Sequence, residues 1–160
     1  VEVRRGYKMT EVGVIPEDWE VKELGEVATF RTGPFGSALH KSDYTNDGVP
    51  VINPMHLIEG VIVPSSSMTI TESAATSLSD FRLKVGDIVI GRRGDMGRCA
   101  VVQSQEEGWL CGTGSMIIRC ISSADADFCQ VVLSSPSIAV AIQNTSVGTT
   151  MANLNQATLV

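Results

Sequence analysis

Three arginines and three glycines share the segment Gly91-Arg92-Arg93-Gly94-Asp95-Met96-Gly97-Arg98, between the apolar runs Ile88 to Ile90 and Val101 to Val102. β-Branched runs on both sides of a glycine-rich turn predict a hairpin with guanidinium groups at its tip. Such a tip suits an anion. The guanidinium fork matches phosphate oxygens and the O6/N7 edge of guanine, and the glycines let the backbone come close to a bulky partner. A solvated tip whose charges serve solubility is the other reading of the same residues.

The remaining motifs carry less chemistry. Gly91, Gly94 and Gly97 are spaced G-x-x-G-x-x-G, which is neither a dinucleotide fingerprint nor a phosphate loop, so a nucleotide cofactor is not expected. Cys111-Gly112-Thr113-Gly114-Ser115 is either a small anion nest of backbone amides or a plain loop entering a strand. Arg93-Gly94-Asp95 matches a cell-adhesion tripeptide by chance in a chain that opens without a secretion signal. Asn53-Pro54-Met55-His56 has the asparagine of the base-gripping loop of amino-methyltransferases but lacks its second proline and its aromatic residue. Four cysteines, Cys99, Cys111, Cys120 and Cys129, include no C-x-x-C pair, and only His40 and His56 could add nitrogen ligands. Zinc and a disulfide framework are therefore not expected, and the thiols read as small core hydrophobes. With no convincing catalytic constellation, binding becomes the leading class.

At 160 residues and 43% hydrophobic content the chain is the size of one domain with a real core, and residues 1–160 are expected to form a single unit. No apolar run approaches the ~20 residues that span a bilayer. The opening Val1-Glu2-Val3-Arg4-Arg5 lacks a signal-peptide core, so the expected compartment is the cytoplasm, with no membrane partner. A net charge of −6 argues against indiscriminate coating of nucleic acid. Residues 81–119 are the exception, with Arg82, Lys84, Arg92, Arg93, Arg98 and Arg119 against Asp87, Asp95, Glu106 and Glu107. A cationic face on an acidic body favours a specific contact.

These groups need elements to position them. A turn over residues 13–20 carries Trp19 as an anchor, and Leu24, Val27 and Ala28 predict a helix within residues 21–29 that Gly33-Pro34 breaks. Val49 to Asn53 starts a strand whose Pro50 implies an edge position. Residues 58–63 predict a turn and strand, Thr71 caps a short helix to Leu78, and residues 115–121 form another buried strand. Asp125 to Leu133 and Ser135-Pro136 to Ile142 predict two helices. Gly148 to Asn155 reads as a polar turn and Ala157 to Val160 as the beginning of a strand.

The ordered set of motifs resembles the target recognition domain of the specificity subunit of type I restriction-modification systems. The resemblance is carried by Gly6 to Val21 with Leu24-Gly25-Glu26, by Thr32 to Ser37, by Asp43-Tyr44 and Gly48 to Ile52, by Leu83 to Gly97 with its Gly-Asp-Ile strand and Arg-x-Gly turn, and by Gly148 to Leu154. It covers nearly the whole chain. It implies an α+β domain, with a winding, β-helix-like strand portion followed by an α-helical hairpin. Such a domain reads one half of a bipartite double-stranded DNA target and has no catalysis of its own. Methyltransferase (modification) subunits would bind S-adenosylmethionine, and the restriction subunit would join indirectly. The chain stops at Val160, before the spacer helix and second domain of the full subunit.

Side chains read sequence at base edges, while Ser, Thr, Lys and backbone amides fix register on phosphates. On that basis Arg92, Arg93 and Arg98 are assigned to the hairpin tip. Arg31, Ser37, Lys41 and Tyr44 form a second contact loop, and Thr113, Ser115, Thr149, Thr150 and Asn153 are further phosphate or base candidates. Two alternatives stay open: a protein-interaction module with an apolar helical face, and a thiol hydrolase pairing one cysteine with His40 or His56.

Overall fold

The structure is a computed structural model, and it describes residues 3–94 and 97–145. In chain order the elements are β1 Tyr7–Thr10, β2 Gly13–Pro16, α1 Leu24–Val27, β3 Ala28–Thr32, β4 Tyr44–Thr45, β5 Val49–Ile52, β6 Leu57–Ile58, β7 Val61–Ile62, β8 Thr69–Ile70, α2 Glu72–Ser77, β9 Asp87–Gly91, β10 Cys99–Val101, β11 Leu110–Cys111, β12 Ser115–Cys120, α3 Ala126–Leu133 and α4 Pro136–Thr145. The architecture is mixed α and β. An antiparallel sheet in the order β10-β9-β12-β3 lies beside a second sheet in the order β11-β5-β8-β4, in which β11 and β5 run parallel; β1-β2 and β6-β7 are separate hairpins.

The first sheet is the middle layer because its two central strands are apolar on both faces. Alternate side chains of a strand point to opposite sides. Ile88 and Ile90 of β9 and Met116 and Ile118 of β12 meet Leu133 of α3 and Ile142 of α4. Val89 and Ile117, facing the other way, pack with Ile52, Leu57, Leu83 and Cys111. Each such burial is worth about 1.5–3 kcal/mol. A third cluster of Leu39, Val51, Ile70, Ala75 and Leu110 lies within the second sheet and under α2.

Several expected elements are present as read. β9 and β10 form the hairpin, with Ile90 opposite Cys99 and Ile88 opposite Val101. β6 and β7 are joined by Glu59 and Gly60, both at positive φ (50° and 82°), the backbone of a tight hairpin turn. The Thr71 hydroxyl accepts the Ala74 N–H at the start of α2, and the Asp125 carboxylate accepts the Phe128 N–H at the start of α3. Between α3 and α4 the chain bends by 66°.

Three expectations are corrected. The helix expected within residues 21–29 is the single turn α1, after which Ala28 is already extended. Helix-like spacing loses there to five cross-strand pairings, from Ala28 with Cys120 to Thr32 with Met116. The segment before Trp19 forms the hairpin β1-β2, closed by the Thr10 hydroxyl donating to the Gly13 carbonyl at 2.8 Å. Pro50 lies in an interior strand, yet β11 pairs with β5 only at Val51 and Ile52, so the missing N–H falls where that ladder has not begun.

Candidate nucleic-acid interface

Strand direction gathers four loops at one end of the two sheets. β12 runs antiparallel to both β3 and β9, placing Met116 opposite Thr32 and Ser115 opposite Gly91. β11 runs parallel to β5, so Cys111 and Ile52 finish side by side. Loops 33–38, 53–56 and 112–114, and the segments 92–94 and 97–98 that follow β9 and precede β10, therefore leave from the same end. They are bonded to one another: Gly112 N–H donates to the Ile52 carbonyl at 2.8 Å, Arg92 N–H to the Gly114 carbonyl at 3.0 Å and Gly33 N–H to the Ser115 carbonyl at 3.0 Å. The Asn53 side-chain oxygen accepts the Gly114 N–H at 3.3 Å. Two glycines permit this packing, since a Cβ on Gly33 would collide with the Gly112 carbonyl and one on Gly112 with the Asn53 side chain.

The assigned residues fall into distinct places. Arg93 and Arg98 are exposed at the loop end, Arg98 bordering a hollow it shares with Glu59, Gln130 and Ala139, whereas Arg92 is only 3% exposed and its Nε donates to the Thr113 carbonyl at 3.2 Å. Burial, with Arg93 close by, lowers the Arg92 pKa. Thr113 is half-buried. Ser115 is fully buried and its hydroxyl has no hydrogen-bond partner, which takes it off the surface a duplex would touch. Arg31 is half-exposed, two residues before Gly33, with Asp80 at 3.9 Å. Ser37 is exposed in the turn where Ala38 N–H donates to the Phe35 carbonyl.

Lys41 and Tyr44 are not brought to this end. Tyr44 and Val49 both pair with Ile70, so β4 starts level with Val49, four residues or about 13 Å short of Asn53. Tyr44 also packs against the third core cluster. Thr149, Thr150 and Asn153, like the expected turn 148–155 and strand 157–160, lie outside the described residues. Asn53 is the residue that sequence reasoning missed. Its signal is the Asn-Pro-Met-His stretch, which in sequence reads only as an incomplete catalytic loop.

Two of the six cations in the basic segment belong to the scaffold. Arg82 pairs with Glu72 and donates to the Gly108 carbonyl at 2.8 Å. Arg119 holds Asp87 through two nitrogens at 2.6 and 2.7 Å, and that carboxylate raises the Arg119 pKa. Of the other four, Lys84 precedes β9 at the opposite end, and Arg92, Arg93 and Arg98 follow β9 at the loop end.

The geometry gives thiol chemistry little support. Burial raises the pKa of Cys99 and Cys111, and pushes Cys120 up to about 11, so these thiols stay protonated at neutral pH. His56 is 3% exposed, its Nδ1 accepts the Asn53 N–H at 3.0 Å, and burial lowers its pKa. Among the described residues no group of three or more His, Cys, Asp or Glu could hold a metal ion. On the far side of the middle sheet, Leu24, Val27, Phe128, Val132, Ile138 and Ile142 line an apolar groove. Trp19, 49% exposed, meets Phe128 of that groove edge to face at 5.8 Å. No single helix among the described residues is long and apolar enough to cross a membrane.

Comparison with known proteins adds an independent finding. The sequence profile of the type I restriction modification DNA specificity domain matches residues 16–160. The type I restriction enzyme MjaVIII specificity subunit of Methanocaldococcus jannaschii is 30% identical over 86 residues, 54% of this chain and 20% of that protein. The HsdS subunit from Thermoanaerobacter tengcongensis superimposes with a TM-score of 0.59 at 18% identity, over 93% of this chain and 35% of that one. A type I restriction-modification S subunit from M. genitalium gives a TM-score of 0.57 at 17% identity, over 86% and 31%. The chain thus spans between a fifth and about a third of the length of these relatives.

Proposed function

The chain belongs to the type I restriction modification DNA specificity domain family, and from that membership we propose that it is a non-catalytic reader of one half of a bipartite double-stranded DNA target. In this reading residues 1–160 are one target recognition domain whose strands wind behind a helical pair. Its partners are methyltransferase subunits, which bind S-adenosylmethionine, and through them the restriction subunit, acting on DNA in the cytoplasm. The observation that carries the proposal is the loop end. Arg93 and Arg98 stand exposed on a base of four loops tied by backbone hydrogen bonds and close glycine contacts. Rigid presentation of guanidinium groups is what base-edge and phosphate contact requires. Arg92 supports them from within, Arg31, Ser37 and Thr113 border the same end, and Lys41 and Tyr44 serve as a separate, more distant contact.

The test uses the intact specificity subunit assembled with its modification subunits and a pool of random duplexes. The wild type is expected to enrich a short motif. Arg93→Ala and Arg98→Ala are each expected to weaken binding to it by about 1–3 kcal/mol where the side chain reads a base. Unchanged affinity in the doubly substituted assembly would remove the loop end from the contact. A protein-interaction module is the second reading, favoured by the apolar groove beside α3 and α4; a pool that enriches no motif would support it.

A further inference from the structure

Two large apolar side chains stand at the loop end without a place in the contact set above. Phe35 is 67% exposed and Met55 is 62% exposed. Each directly follows a proline, in Gly33-Pro34-Phe35 and Asn53-Pro54-Met55. The backbone ahead of each is clamped. Gly33 is bonded to the Ser115 carbonyl at 3.0 Å and pressed against the Gly112 carbonyl. Asn53 is bonded to His56 through its N–H and to Gly114 through its side chain, and a Cβ on Gly114 would lie 2.9 Å from Pro54. Loop 112–114 is thus held between the two proline segments, with Phe35 beyond one and Met55 beyond the other.

Single exposed apolar side chains are ordinary on protein surfaces. This pair differs by its place, on both flanks of the loop whose Gly114 carbonyl holds the Arg92 N–H beside exposed Arg93. Proline fixes φ ahead of each side chain, so the backbone that carries it needs little ordering when a partner covers it. On a base edge in the major groove the apolar group is the C5-methyl of thymine. We propose that Phe35 and Met55 are specificity-determining residues that pack on thymine methyl groups. The inference rests on the DNA-reading function proposed above and names what that end prefers.

The experiment uses the intact subunit with its modification subunits and the motif it enriches. Deoxyuridine, which lacks only the methyl group, replaces each thymine of the half-target in turn. The wild type is expected to lose about three- to fivefold in affinity at one position or more, the worth of one buried methyl group. The double variant Phe35→Ala, Met55→Ala is expected to bind both duplexes alike, with its salt dependence unchanged because no phosphate contact is lost. An unchanged urea midpoint confirms that the exposed positions leave folding intact. A wild type indifferent to deoxyuridine, a double variant that still discriminates, or a half-target without thymine overturns this inference while the DNA reading stands. A duplex kinked by the wild type without thymine preference points to wedging between bases and also overturns it. Failure of the wild type to enrich any motif overturns the DNA reading itself.

Discussion

Asp87 is 1% exposed and accepts three hydrogen bonds, two from Arg119 and one from the Lys84 N–H at 2.8 Å. It fastens the start of β9 to β12, so its charge serves the scaffold. Asp87→Ala strands the guanidinium, and because Arg119 keeps some access to water the expected loss is about 3 kcal/mol, at the lower end for a broken buried pair. A urea midpoint that does not move would refute it. His56 gives a pH dependence of definite sign. Its folded pKa is lowered from 6.5, so above that value both states are neutral and the contact with Asn53 is intact. As pH falls below 6.5 the unfolded chain takes a proton that the folded one refuses, and stability declines until the folded pKa is passed. Denaturation between pH 7.5 and 5.5 is expected to show that decline, and His56→Leu to flatten it. Sequence presented Arg92, Arg93 and Arg98 as equals. Their separation into one buried and two exposed side chains depends on the Gly91–Ser115 register and on the Gly114 carbonyl, partners far along the chain.

At the scale of elements, local signals sufficed where the contacts are local. The β9-β10 hairpin, the capped start of α2 and the Pro136 start of α4 were legible because turn glycines, a Thr cap and a first-turn proline act within a few residues. α1 and β3 were not, because β12, about ninety residues on, decides their conformation. The convergence of four loops was equally hidden, being set by strand direction in two sheets. Gly33 and Gly36 test that convergence. Gly33→Ala drives a methyl into the Gly112 carbonyl and is expected to cost about 1–3 kcal/mol, the range for overpacking. Gly36→Ala meets nothing within 4 Å and is expected to stay within about 0.5 kcal/mol of wild type. Equal urea midpoints for the two variants would contradict the packing described.

For the whole molecule, an overall charge of −6 and a cationic loop end are compatible because Arg92, Arg93 and Arg98 share one loop after β9, while Arg82 and Arg119 pair with Glu72 and Asp87 in the scaffold. What remains outward at that end is small. If Arg93 and Arg98 each meet a phosphate, removing both is expected to flatten the slope of log affinity against log salt by about 2. An unchanged slope with reduced affinity would assign them to base edges instead. Family membership was legible from the order of the motifs along the chain. Asn53 and Gly112 stand 59 positions apart, yet the asparagine fills the volume that the missing Cβ leaves. A chimera that imported only one of these loops from a relative would meet a void or a clash at that junction, so altered specificity has to be transplanted as a matched pair.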